Sequence, residues 1–211
     1  MGLKKGFFIT FEGIEGSGKT TQIKLLYKYL KKKTKKVYLT REPGGTKISE
    51  KIRSLVIKDL SNNTNPLTEL FLLFAARAEH FDLIKKKIKE KYIVLCDRYI
   101  DSTFAYQHYK GKINLKLINL IQANVDRGQK PNLTFLLDID PKITKDRILN
   151  RKKIIDRFDN DSLKNMNLIR NSFLKISKKY KNRINVINGL NDKKTIHNKI
   201  KFIAENYLKN A

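Results

Sequence analysis

Short apolar runs rich in β-branched and aromatic residues alternate along this chain with longer stretches of helical periodicity. Five runs read as strands: Phe7–Phe11, Val37–Thr40, Tyr92–Cys96, Leu133–Ile139 and Ile184–Ile187. Each is too short for a helix and is bounded by polar or Gly-containing segments. Helical patterns fill the intervals at about 19–33, 47–58, 66–89, 115–125, 141–150, 162–179 and 193–208. In the longest, apolar residues at 67, 70, 71, 73, 74, 78, 81 and 84 follow a spacing nearer 3.6 than 2. Strands separated by helices need crossover connections. The pattern therefore predicts a five-stranded parallel sheet with helices on both faces, a three-layer α/β/α architecture. No low-complexity linker or repeat divides residues 1–211, which predicts one domain. Ligands of such sheets gather beyond the carboxyl ends of the strands, so chemistry is expected just after each strand.

Composition changes this picture little. The net charge is +26, but 36 lysines against 10 arginines are spread over nearly every segment, and the chain has none of the usual nucleic-acid recognition motifs. The lysine runs at 31–33, 85–87 and 178–179 fall at helix ends and solvated faces, so no nucleic-acid partner is expected. No apolar run approaches the roughly 20 residues needed to span a bilayer. The first apolar run is too short for a signal peptide, and Gly6 stands where a myristoylation signal needs Ser or Thr. A cytoplasmic protein without membrane attachment is expected. Cys96 is the only cysteine, which excludes an internal disulfide and a thiolate zinc site. His80, His108 and His197 show no metal-ligand spacing.

The strongest chemical signal follows the first strand. Gly13-Ile14-Glu15-Gly16-Ser17-Gly18-Lys19-Thr20 fits G-x-x-x-x-G-K-[ST], with a strand before it and an apolar-periodic helix after it. Glycines let the loop turn tightly and bring backbone N–H groups onto phosphate oxygens, and the helix N-terminus adds its positive end. Lys19 is expected to reach the β- and γ-phosphates, and the Thr20 hydroxyl to help hold Mg²⁺. This marks an NTP site without naming the acceptor, since GTPases, ATPases and kinases share the loop.

Arginines mark a second anionic substrate. Thr40-Arg41-Glu42-Pro43-Gly44-Gly45-Thr46 follows the second strand, with Thr46 as a helix N-cap and Arg53 two turns further on. Asp97-Arg98-Tyr99 follows the third strand, placing Asp97 as a strand-end carboxylate near the metal. Arg77 stands in Phe74-Ala75-Ala76-Arg77, where small neighbours suit close packing and a charge suits only a site. Arginine's planar fork binds phosphate or base edges bidentately, which lysine cannot reproduce.

These segments, with Asp101-Ser102-Thr103-Phe104-Ala105-Tyr106-Gln107, resemble the bacterial thymidylate kinases from near Phe7 to about Asp159. The resemblance implies a nucleoside monophosphate kinase that uses MgATP and dTMP and is commonly homodimeric through its long helices. It implies that Glu15 accepts from the acceptor 3′-hydroxyl and that Arg53 and Arg98 bind the acceptor phosphate, with Glu42 near the metal and phosphates. Arg77, Thr103 and Gln107 would read the thymine edge, and Tyr106 would crowd the 2′ position. The family usually stacks an aromatic on thymine four residues before this arginine. Leu73 stands there and Phe74 follows, so stacking falls to Phe74 or is replaced by Leu73.

Because Gly16 follows the loop carboxylate, the resemblance further implies catalytic arginines in a short helical lid at about 147–160. Arg147, Arg151 and Arg157 lie there, with Asp159 where the family often has Glu. Arg147 and Arg151 are the expected catalytic pair, alongside Lys19 and Arg98. The acceptor phosphate is already an anion, so the protein has only to align it, neutralise the transferring group and exclude water. Two alternatives stand beside this reading: a kinase for another pyrimidine monophosphate, or a basic nucleic-acid-dependent ATPase.

Overall fold

The structure, a computed structural model, describes residues 5–61, 63–150 and 157–209. Five strands form one parallel sheet: β1 (Phe7–Glu12), β2 (Val37–Arg41), β3 (Ile93–Asp97), β4 (Leu133–Asp138) and β5 (Ile184–Asn188), in the order β2-β3-β1-β4-β5. The helices are α1 (Lys19–Lys33), α2 (Lys47–Ser54), α3 (Pro66–Lys89), α4 (Ile100–Thr103), α5 (Leu115–Asp126), α6 (Pro141–Leu149), α7 (Leu163–Lys179) and α8 (Lys193–Lys209). Among them no helix is long and apolar enough to cross a membrane.

Side chains alternate across the central strand. Phe7, Ile9 and Phe11 point to a core closed by Ile23, Leu26 and Leu30 of α1 and by Ile196, Ile200 and Ala204 of α8. Phe8 points to the opposite core, with Leu70 and Phe74 of α3, Ile118 of α5, and Met166, Ile169 and Phe173 of α7. Burial on both faces explains why the strands read as continuous apolar runs. It also confirms the three-layer architecture.

All five strands extend past their last apolar residue, β1, β2 and β3 to Glu12, Arg41 and Asp97. Backbone pairing continues there because the next amides still find partners: Arg98 N donates to Phe11 O at 2.9 Å, and Glu42 N to Asp97 O at 2.9 Å. The register pairs Asp97 with both Phe11 and Arg41, so the charged ends of three strands reach one edge.

One element has no counterpart in the periodicity. Residues 100–110 form α4 and then a wider π-helical turn, Phe104–Lys110, closed by Gly111 N on Tyr106 O at 2.8 Å. A second π-helical turn, Leu55–Asp59, extends α2. Such turns displace side chains from regular helical positions and are frequent at functional sites. Here both border the same cavity, through Val56 and Ile57 and through Tyr106 and Gln107.

Candidate active site

The loop between β1 and α1 is shaped by glycine at its first position. Gly13 has φ 140°, and a Cβ there would come within 2.6 Å of Leu137 O. Gly18 turns the chain into α1 with a left-handed conformation, φ 96° and ψ 7°. Lys19 folds back over the loop, donating to Gly13 O at 3.0 Å and Ile14 O at 2.8 Å. Burial lowers its ammonium to about 8, with Arg98 adding to the fall. A buried cation held by two carbonyls and, at 3.5 Å, by Ser17 Oγ is poised to exchange them for phosphate oxygens.

The two residues expected at the metal meet directly. Thr20 Oγ1 donates to Asp97 Oδ2 at 2.8 Å. A hydroxyl and a carboxylate at the foot of a phosphate loop suit a hard cation that keeps its other ligands from water and phosphate, as Mg²⁺ does.

Arg98 stands at the centre of the site with a left-handed backbone, φ 70°. Its Nη1 donates to Gly13 O and to Ser102 Oγ, each at 3.0 Å, and its Nη2 to Glu15 Oε1 at 2.7 Å. Tyr106 donates its hydroxyl to Glu15 Oε1 at 2.8 Å and Oε2 at 2.7 Å. Beneath them Glu12 is buried, accepting from Tyr99 N at 2.8 Å and Ser102 Oγ at 2.6 Å. Burial pushes its carboxyl up to about 8, Asp101 adding to the rise and Arg98 opposing it.

The opposite wall is built on α3 and on the loop after β2. Arg77 is 4% exposed, and its Nε donates to Glu42 Oε2 at 2.8 Å. Arg77 Nη2 donates to Thr103 Oγ1 at 3.1 Å, whereas its buried Nη1 has no partner among the described residues. The guanidinium lies between two rings, 5.1 Å from the Phe74 centroid and 5.0 Å from that of Tyr99. Burial raises the Glu42 carboxyl, but Arg77 and His80 outweigh it and hold the group below its ordinary value. His80 bridges Glu42 Oε1 at 3.4 Å and Thr40 Oγ1 at 2.7 Å. Gly45 makes room for this histidine: a Cβ there would lie 2.4 Å from His80 Nε2. Thr46 caps α2, accepting from Ser49 N at 3.1 Å, and Arg53 on that helix donates to Pro43 O at 3.1 Å.

Both walls enclose one cavity of about 370 Å³, within the range of small-molecule sites. It brings together Glu15, Gly16, Gly18, Lys19, Thr20, Glu42, Arg53, Arg77, Arg98, Thr103, Tyr106, Gln107 and Arg147. Of the other expected residues, Gly13, Ile14, Ser17 and Asp97 are not among those lining it, and neither is Phe74. It is 3% exposed in the core beneath Arg77, while Leu73 lines the cavity. Successive helical residues point about 100° apart, so only one of the pair can face the ligand. Three aromatics do line this cavity, Tyr99, Tyr106 and Phe158, the last with its ring edge-on to Tyr106 at 6.0 Å. Arg147 also reaches the turn after β5, donating to Gly189 O at 3.3 Å. Arg151 lies outside the described residues.

Sequence reasoning overlooked Glu12, Ser102, His80, Phe158 and Glu69. Glu69 accepts from Gln107 Nε2 at 2.8 Å and pairs with Arg157. Its signal was present: Glu69, Leu73 and Arg77 are spaced i, i+4, i+8 and share one face of α3. Glu12 gave no such signal, since a strand-end carboxylate reads as exposed until the loop above it is in place.

The thymidylate kinase family profile matches residues 11–200. The chain is 46% identical over 193 residues to a thymidylate kinase of Sulfurihydrogenibium sp. (strain YO3AOP1), covering 91% of this chain and 93% of that one. It is 45% identical over 189 residues to that of Wolbachia pipientis subsp. Culex pipiens (strain wPip), covering 88% of each. The crystal structure of thymidylate kinase from Ehrlichia chaffeensis superposes with a TM-score of 0.76 at 35% identity, over 95% of this chain and 99% of that one. With a family profile matched over residues 11–200 and relatives 45–46% identical along nearly the whole chain, the chain belongs to the thymidylate kinase family.

Proposed function

We propose that this protein transfers the γ-phosphoryl group of ATP to dTMP, giving ADP and dTDP. The observation that carries the reading is Arg77: a buried guanidinium whose Nη1 has no partner among the described residues, in the same cavity as the Lys19 loop. A buried unpaired donor is costly unless a ligand satisfies it. Thymine offers such an acceptor at O4.

In this reading the loop amides and Lys19 hold the ATP phosphates. Thr20 and Asp97 would hold Mg²⁺, which would supply charge neutralisation for the transferring group. Arg53 and Arg98 hold the acceptor phosphate, and Glu15 accepts from the 3′-hydroxyl. Arg77, Thr103 and Gln107 face the base, Leu73 and Phe158 pack beside it, and Tyr106 crowds the 2′ position. An acceptor phosphate oxygen attacks the γ-phosphorus in line as the bond to the β-bridging oxygen breaks, and the electron pair leaves on ADP. No protein nucleophile is required. Arg147 and Arg151, on a lid at about 147–160, neutralise the transferring group and exclude water.

Homodimerisation is part of the proposal. Leu67, Phe71, Ala75 and Ala78 form an exposed apolar stripe on α3, which a second copy would cover. The protein is placed in the cytoplasm, consistent with its single cysteine being a free thiol.

Coupled ADP release with MgATP and a panel of dTMP, dUMP, UMP, dCMP and AMP tests the reading. Strong preference for dTMP is expected. Equal rates on dTMP and dCMP, or no activity on any of the five, would overturn it.

A further inference from the structure

We infer that Glu69 is a specificity-positioning residue, which fixes the orientation of the Gln107 amide so that the cavity accepts a base carrying a donor at N3. The inference rests on the dTMP reading above and goes beyond it, since Glu69 is not among the residues lining the cavity.

A carboxylate paired with a guanidinium accepts hydrogen bonds and does not donate them. Glu69 holds Arg157 on Oε2 and Gln107 Nε2 on Oε1, the latter at 2.8 Å. A primary amide has two ends of nearly equal shape and opposite hydrogen-bonding character, so an isolated glutamine can present either end to a ligand. Glu69 removes that freedom. It binds the N–H₂ end, which turns the carbonyl Oε1 to the other side of the amide. Gln107 is buried in the cavity wall, so this orientation is not averaged by solvent.

Arg77 complements this acceptor. Its Nε and Nη2 are committed to Glu42 and Thr103, leaving Nη1 as the available donor. A wall that offers one donor and one acceptor matches thymine or uracil, with an acceptor at O4 beside the N3–H donor. Cytosine carries the reverse pair, an amino donor at C4 beside the N3 acceptor. Polar groups built to meet one pattern reject the other, because a mismatched base leaves buried groups unpaired. Glu69 lies two helical turns before Arg77 on the same face of α3, so one helix carries both the donor and the anchor of the acceptor.

The test uses Glu69→Gln in the full chain, assayed for kcat/KM with dTMP, dUMP and dCMP. A glutamine at 69 can donate as well as accept, so the Gln107 amide is freed to rotate. The ratio of dTMP to dCMP is expected to fall about tenfold or more, the equivalent of one buried hydrogen bond. The ratio of dTMP to dUMP should stay constant, because both carry N3–H. A merely structural role would lower all three together and leave both ratios unmoved, which would overturn the inference. Arg157→Met separates the ion pair from the amide: it keeps the Glu69 acceptor and should preserve the dTMP to dCMP ratio. An equal fall in that variant would assign selectivity to the ion pair and overturn the inference. Glu69→Met also removes the acceptor and gives a second reading should Glu69→Gln not fold. A wild-type protein that does not prefer dTMP to dCMP would remove the underlying function, whereas a selective wild type with an unmoved ratio in the Glu69 variants would remove the role of Glu69 alone.

Discussion

The Tyr106 hydroxyl and the Glu15 carboxylate join two separately built walls of the cavity, the π-helical turn after α4 and the phosphate loop, through bonds of 2.8 and 2.7 Å. Burial pushes the phenol up well above its ordinary value, so it stays a donor at any working pH. Tyr106→Phe keeps the ring and removes the donor. Loss of about 1.5 kcal/mol is expected in urea unfolding, the value of a hydrogen bond to a charged group. The preference for dUMP over UMP should persist, because the ring and not the hydroxyl crowds the 2′ position.

Arg77 and Glu42 form a buried ion pair, each about 5% exposed. Arg77→Met strands the carboxylate, and a destabilisation of about 3–5 kcal/mol is expected. Adding Glu42→Gln should recover part of this, since the second change removes the unpaired charge. Additive losses in the double variant would show that the pair is not coupled.

Lys19 carries a depressed pKa of about 8 in the free protein. Phosphate oxygens favour the charged ammonium, so ATP binding near pH 8 should take up a proton. The affinity is then fully present below this value and falls as pH rises through it. Calorimetry in two buffers of different ionisation enthalpy reads the proton directly. Lys19→Met should abolish the uptake and weaken binding.

Glu12 works in the other direction. Its folded-state carboxyl titrates near 8 instead of 4.5, so the unfolded chain releases this proton first as pH rises. The stability contributed by the neutral form is fully present below about 4.5 and is lost progressively up to about 8. Glu12→Gln should flatten this slope in denaturant melts collected between pH 5 and 8. An unchanged slope would assign the proton elsewhere.

Arg151→Ala addresses the proposed lid. Turnover is expected to drop on the order of 10³-fold, the scale of an arginine finger, with little change in dTMP binding. Comparable losses in binding and turnover would place the arginine in the acceptor site.

Much of this protein was legible along the chain. Alternating apolar runs and 3.6-residue periods suffice for the sheet and for seven of its helical segments, because strands buried on both faces and helices buried on one leave unmistakable patterns. The phosphate loop and the strand-end arginines are local as well, since each follows its strand directly. Residues 100–110 were not legible as a helix. Their side chains face the cavity and the loop carboxylates as much as the core, and a π-helical turn breaks the 3.6 period.

What the tertiary structure alone decided is which neighbours meet. Leu73 and Phe74 are adjacent in sequence, and only the packing of α3 against the sheet shows that Leu73 faces the cavity while Phe74 supports Arg77. Glu69 and Gln107 lie 38 residues apart, so their hydrogen bond exists only once α3 and the turn after α4 are docked. The elevated pKa of Glu12 likewise needs the burial and the Asp101 carboxylate assembled around it, which outweigh the opposing Arg98 and the Ser102 hydrogen bond. Sequence patterns report which face of an element is buried. The partner of a particular polar atom depends on distances between elements, which no local period encodes.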